Sequence, residues 1–111
     1  MASVSEQVIE AIVQVIVQEV RPRRIYLFGS RAQGDQTAGS DVDLLIVEDQ
    51  GFGPQRSRWS ELQRIRKALK PFRVSKDVLV YSKNEFETWE DSLNHIVAQA
   101  VRERWLLYER S

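Results

Sequence analysis

Two short runs rich in β-branched and aromatic residues, Arg24–Phe28 and Val42–Val47, flank a polar segment that opens on Gly29-Ser30 and closes on Asp41. Runs of this length and composition, bounded by glycine and small polar residues, predict strands. Short buried strands need covering, and the chain on either side of them supplies helical periodicity. Ile9, Ile12, Val13, Ile16 and Val20 form one stripe of a helix from about residue 5 to Val20, opened by a capping box of Ser3 with Glu6 and stopped near Pro22. Its many β-branched residues lower its intrinsic propensity, so the helix must draw its stability from packing on a sheet.

The same reading continues downstream. Gln50 to Pro54 is a turn and linker, followed by a helix from about Gln55 to Leu69 with Trp59, Leu62, Ile65, Arg66 and Leu69 along one side. Val74 to Tyr81 is a third strand, with Asp77, Leu79 and Tyr81 on one face and Val78 and Val80 on the other. Ser82 with Glu85 forms a second capping box, opening a short helix through Phe86 and Trp89. Leu93 to Tyr108 reads as a final amphipathic helix with Leu93, Ile96, Val97, Ala100, Val101, Trp105 and Tyr108 as its stripe. The resulting order (helix, strand, strand, helix, strand, helix, helix) predicts an α+β sandwich built on a small mixed sheet flanked by helices.

At 111 residues the chain has room for a single domain spanning 1–111. Its 16 basic and 16 acidic side chains give zero net charge, so the chain as a whole exerts no long-range pull on nucleic acid, and direct nucleic-acid binding is not expected. The absence of cysteine excludes disulfides, thiolate ligands and cysteine nucleophiles, and fits a cytoplasmic protein. No signal peptide or bilayer-length apolar run is visible, so no membrane role is expected.

Ten residues separate Ser30 from Asp41. Strand alternation turns Asp41 and Asp43 to the same side, where two carboxylates repel unless a cation compensates. Magnesium fits that need, since it takes carboxylate oxygens together with substrate phosphates. Asp77, at the start of the third strand, is a candidate third carboxylate if that strand lies beside the second. Three such groups could hold two metal ions about 3.5–4 Å apart. Gly29 allows close backbone approach to a phosphate, Ser30 offers its hydroxyl, and Arg31 can add charge. Taken singly, Gly-Ser is an ordinary turn, Asp-x-Asp an ordinary solvated loop, Arg31 a surface charge, and Asp77 a partner for Lys76 or Arg73. Their combination between two strands is what points to phosphoryl or nucleotidyl transfer.

Gly29-Ser30-Arg31-Ala32-Gln33-Gly34, Ser40-Asp41-Val42-Asp43-Leu44 and Asp77 resemble the signature of minimal nucleotidyltransferase (MNT) domains, members of the DNA polymerase β-like nucleotidyltransferase superfamily. The resemblance implies the nucleotidyltransferase fold. It implies catalytic and metal-binding roles for Asp41, Asp43 and Asp77, with two Mg²⁺ ions, and a nucleotide site at Gly29 and Ser30 with Arg31 beside it. Many family members carry arginine where this chain has Gln33. Free-standing MNT proteins are commonly paired with a HEPN-family RNase as antitoxin and toxin. The function so implied is transfer of AMP from ATP to a tyrosine hydroxyl of a HEPN toxin. The alternatives are a non-catalytic antitoxin that acts by occlusion and the catalytic subunit of a two-component small-molecule nucleotidyltransferase.

Three further features stand apart from the motif. The stretch from Arg56 to Lys76 carries eight cations and a single acid, Glu61, whereas Glu85 to Asp91 is acidic. These read first as solvated helix faces and second as a docking surface for a partner of opposite charge. Trp59, Trp89 and Trp105 are assigned to the core by default, and His95, the only histidine, has no catalytic neighbour in sequence.

Overall fold

The computed structural model describes residues 6–28, 42–90 and 105–110. The elements in chain order are α1 (Glu6–Val20), β1 (Arg24–Phe28), β2 (Val42–Glu48), α2 (Arg58–Leu69), β3 (Lys76–Ser82), α3 (Lys83–Trp89) and β4 (Trp105–Glu109). They form one four-stranded mixed sheet of order β3-β2-β1-β4. β1 is antiparallel to both β2 and β4, whereas β2 and β3 are parallel and joined through α2. A parallel pair needs such a crossover, and the helix returns across a sheet face. Among the described residues no helix is long and apolar enough to cross a membrane.

β2 is the central strand of the motif, and its sequence shows why. Leu44, Leu45, Ile46 and Val47 are all essentially solvent-free, the continuous apolar run expected of a strand covered on both faces. On one face Val42, Leu44 and Ile46 join Ile25, Leu27, Val78 and Val80 under Ile12, Val13 and Ile16 of α1 and Ile65 and Leu69 of α2. On the other, Tyr26, Phe28, Leu45 and Val47 cluster with Phe86 of α3. The Tyr26 and Phe86 rings stack with centroids 5.5 Å apart. α1 ends where Arg21 takes a left-handed φ of 48° and Pro22 follows, the stop foreseen at that proline.

The capping box at α3 is complete. Ser82 Oγ accepts from Glu85 N at 3.1 Å, and Glu85 Oε1 accepts from Ser82 N at 2.9 Å. Ser82→Ala removes one of these and is expected to cost about 1 kcal/mol, read as a lower urea midpoint at unchanged m-value. A midpoint equal to wild type would show that packing of Phe86 alone seats the helix.

Three expectations need correction. Trp105 and Tyr108 are not on a helix: residues 105–109 are β4, hydrogen-bonded along the free edge of β1. Trp105-Leu106-Leu107-Tyr108 is a short unbroken apolar run, which periodicity alone cannot distinguish from a helical stripe. The strand is preferred because it completes β1, with a register shift between Ile25 and Tyr26 and an Arg24 Nε to Glu109 Oε2 bond of 2.9 Å. The remainder of that expected helix, 93–104, lies outside the described residues, as do Ser3 and His95. The tryptophans are not core either: Trp59, Trp89 and Trp105 are 67%, 42% and 53% exposed. Nor do Trp59 and Arg66 share the buried side of α2, which is formed by Ile65 and Leu69 with Leu62 packed against them. Both side chains face outward.

Candidate functional site

Asp43 is the second residue of β2 and Asp77 the second of β3, and the parallel register pairs them directly. Their Cα atoms therefore lie about 4.8 Å apart, the spacing of neighbouring strands. Both belong to the face that α3 covers. Asp43 alternates with Leu45 and Val47, and Asp77 with Leu79 and Tyr81, while the intervening aliphatic residues face α1 and α2. Asp43 is half-buried and Asp77 exposed. On its other side Asp43 pairs with Phe28, the last residue of β1. The end of β1, the start of β2 and the start of β3 thus meet at one end of the sheet, with two carboxylates side by side.

Directly opposed like charges destabilise a sheet, so the contact between the two carboxylates is by itself unfavourable. The simplest structural explanation for Asp77, a pairing with a neighbouring cation, is not what the chain adopts. Lys76 Nζ donates instead to the carbonyl oxygens of Phe72 (2.6 Å) and Val74 (2.9 Å). Among the described residues no cation pairs with Asp77. Two adjacent aspartates offer hard oxygen donors suited to a divalent cation such as Mg²⁺. Among the described residues no cluster of three or more carboxylate or histidine ligands forms. Asp41, the expected third carboxylate, lies outside them, as do Gly29, Ser30 and Arg31 of the expected nucleotide site. The structure brings together Asp43 and Asp77.

The basic and acidic segments of the sequence turn out to fasten to each other. Arg58, at the start of α2, forms a salt bridge with Glu85 of α3 and donates to the Val80 carbonyl at 2.7 Å. Its guanidinium also lies 5.2 Å from the Tyr81 ring centre and 4.7 Å from that of Phe52. Burial works against ionisation of Glu85, but Arg58 and the Ser82 N–H hold its carboxyl below the usual range. α3 is thereby tied to β3, on the face that carries the aspartates. The sequence signal for this clamp was charge opposition between the two segments; which cation meets which acid depends on the crossover.

Residues 9–107 match the family model described as the nucleotidyltransferase domain, and the chain belongs to that family. In sequence it is 45% identical over 49 residues to a candidate protein adenylyltransferase of Methanocaldococcus jannaschii, covering 42% of this chain and 49% of that protein. The chain spans about half the length of the curated relatives it matches. In structure it is similar to a candidate nucleotidyltransferase from Sulfolobus solfataricus, with TM-score 0.66 and 21% identity over 94% of this chain and 79% of the other. It is also similar to a chain from the complex of a tri-AMPylated Shewanella oneidensis HEPN toxin with its MNT antitoxin, with TM-score 0.53 and 20% identity over 96% of this chain and 74% of that one. At these identities the structural likeness is one of fold, and the fold is that of the nucleotidyltransferases.

Proposed function

We propose that this chain is a Mg²⁺-dependent nucleotidyltransferase that moves AMP from ATP to a tyrosine hydroxyl of a HEPN-family toxin, acting in the cytoplasm as its antitoxin. The observation that carries the reading is the Asp43–Asp77 pair, two carboxylates aligned on neighbouring strands. Family membership supports the reaction class, and the AMPylated toxin seen with a protein of the same fold supports the acceptor.

Asp41, Asp43 and Asp77 would hold the metal, and Gly29, Ser30 and Arg31 the triphosphate. Bound magnesium would supply charge neutralisation at the phosphates and a lowered pKa for the attacking hydroxyl. In the reaction the acceptor oxygen bonds to the α-phosphorus in line, the bond from that phosphorus to the bridging oxygen breaks, and pyrophosphate leaves. Asp77, the more exposed of the pair, is assigned to the acceptor side, where it takes up the hydroxyl proton. The test is incubation of the purified chain with Mg²⁺, α-labelled ATP and the cognate HEPN protein. Label should appear on the HEPN protein. Tight binding of that protein with no label transferred would refute the enzymatic reading and leave occlusion in its place.

A further inference from the structure

The cations of the basic segment divide into two groups. Arg56 bridges Glu48 and Glu61, Arg58 bridges Glu85, Arg64 bridges Glu19, and Lys76 is spent on backbone carbonyls. Arg66, Lys67, Lys70 and Arg73 are exposed, and none of their side chains has a hydrogen bond or ion pair among the described residues. Trp59, 67% exposed, lies on the same helix. At about 100° per residue, Trp59, Arg66 and Lys70 fall within about 20° of one line along α2, on an exposed flank roughly 100° around the helix from Ile65 and Leu69. The line is roughly 16 Å long by helical rise, and Arg73 follows three residues after Lys70, beyond the helix end.

Cations in a last turn are favourable to the helix dipole, which accounts for Arg66 and Lys67. The dipole accounts neither for Arg73, past the helix, nor for a tryptophan left in water at its first turn. We infer that this outer face of α2 is the surface on which the acceptor protein docks, through an acidic patch with a recess for the Trp59 indole. The inference rests on the HEPN reading above and adds where the partner binds.

Charge complementarity makes the occupant anionic. A protein fits better than nucleic acid on two counts. Four cations on a chain of zero net charge would neutralise only about four phosphates, giving weak and steeply salt-dependent binding. An exposed tryptophan with an arginine two turns along the same line combines two residue types enriched at protein–protein hot spots.

The test uses the full chain and the cognate HEPN protein, titrated calorimetrically without nucleotide. Wild type is compared with the triple variant Arg66→Glu, Lys70→Glu, Arg73→Glu and with Trp59→Ala. These side chains are solvent-exposed, and circular dichroism checks that each variant folds. Charge reversal should weaken binding at least about tenfold at physiological salt, mainly through association rate, and Trp59→Ala by a similar factor through dissociation. Affinities within about twofold of wild type overturn this inference while leaving the HEPN reading intact. Absence of any wild-type complex overturns both. A single-stranded uridine 20-mer that binds wild type more tightly than the HEPN protein does, and is lost in the triple variant, reassigns the face to nucleic acid.

Discussion

Asp43→Asn and Asp77→Asn, made singly, are each expected to lower AMP transfer by about three orders of magnitude, and Asp77→Asn is expected to leave the metal-free chain at least as stable as wild type. The first effect follows from the proposed function, in which one carboxylate is removed from a set that would hold divalent metal at transferring phosphate, a contribution of several kcal/mol at about 1.4 kcal/mol per tenfold. The second follows from the register: the two aspartates are direct cross-strand partners, and like charges so opposed cost roughly 0.2–1 kcal/mol. Neutralising Asp77 relieves that repulsion. Thermal melts in chelator should therefore place Asp77→Asn level with or above wild type. Added Mg²⁺ should raise the wild-type midpoint and raise that of either variant less. Single-turnover label transfer checks the catalytic half. A variant that keeps wild-type transfer would remove its aspartate from the reaction. One that melts several degrees lower without metal would make its aspartate structural.

That register could not be read from the sequence. Alternation puts Asp77 on the face of Leu79 and Tyr81, but whether that face is shared with Asp43 depends on β3 lying beside β2, which the α2 crossover decides. β1 was legible to the residue because its five residues are bounded by Pro22 and Gly29. β2 ran one residue further than its apolar run, since Glu48 continues the ladder opposite Ser82. β4 was misread because four consecutive apolar residues fit either period, and the deciding interaction, pairing with Arg24–Leu27, lies some 80 residues away in the chain. The phase of α2 was misread for a related reason: hydrophobicity alone put Trp59 inward, while the core it would have entered is already filled by Ile65 and Leu69. Nothing local marked Glu48 as buried either, because an acid at a strand end reads as solvated and its cation comes eight residues later across a turn.

Arg56→Ala is accordingly expected to be the most destabilising of the surface-to-boundary substitutions, at about 2 kcal/mol near neutral pH. Its guanidinium forms salt bridges with Glu48, whose side chain is 4% exposed, and with Glu61 at 12%, and lies 4.4 Å from the Phe52 ring centre. Removing it leaves two shielded carboxyls without their cation, and Glu48 Oε2 already accepts no hydrogen bond among the described residues. Burial, reinforced by the neighbouring Glu61 carboxylate, which accepts the Glu48 proton, pushes the Glu48 carboxyl from 4.5 up to about 8 even against the pull of Arg56. The folded chain thus retains a proton that the unfolded chain has released. This contribution to stability is complete below about pH 4.5 and is lost as pH rises through 8. Arg56→Ala should raise that carboxyl further, carrying the loss to still higher pH. Glu48→Gln keeps an acceptor for Arg56 but cannot ionise, so the alkaline decline should flatten. Urea unfolding at about pH 6 and about pH 9 measures both effects. Parallel pH profiles for wild type and Glu48→Gln would mean that Glu48 is already ionised in the folded chain and that Arg56 fully compensates its burial.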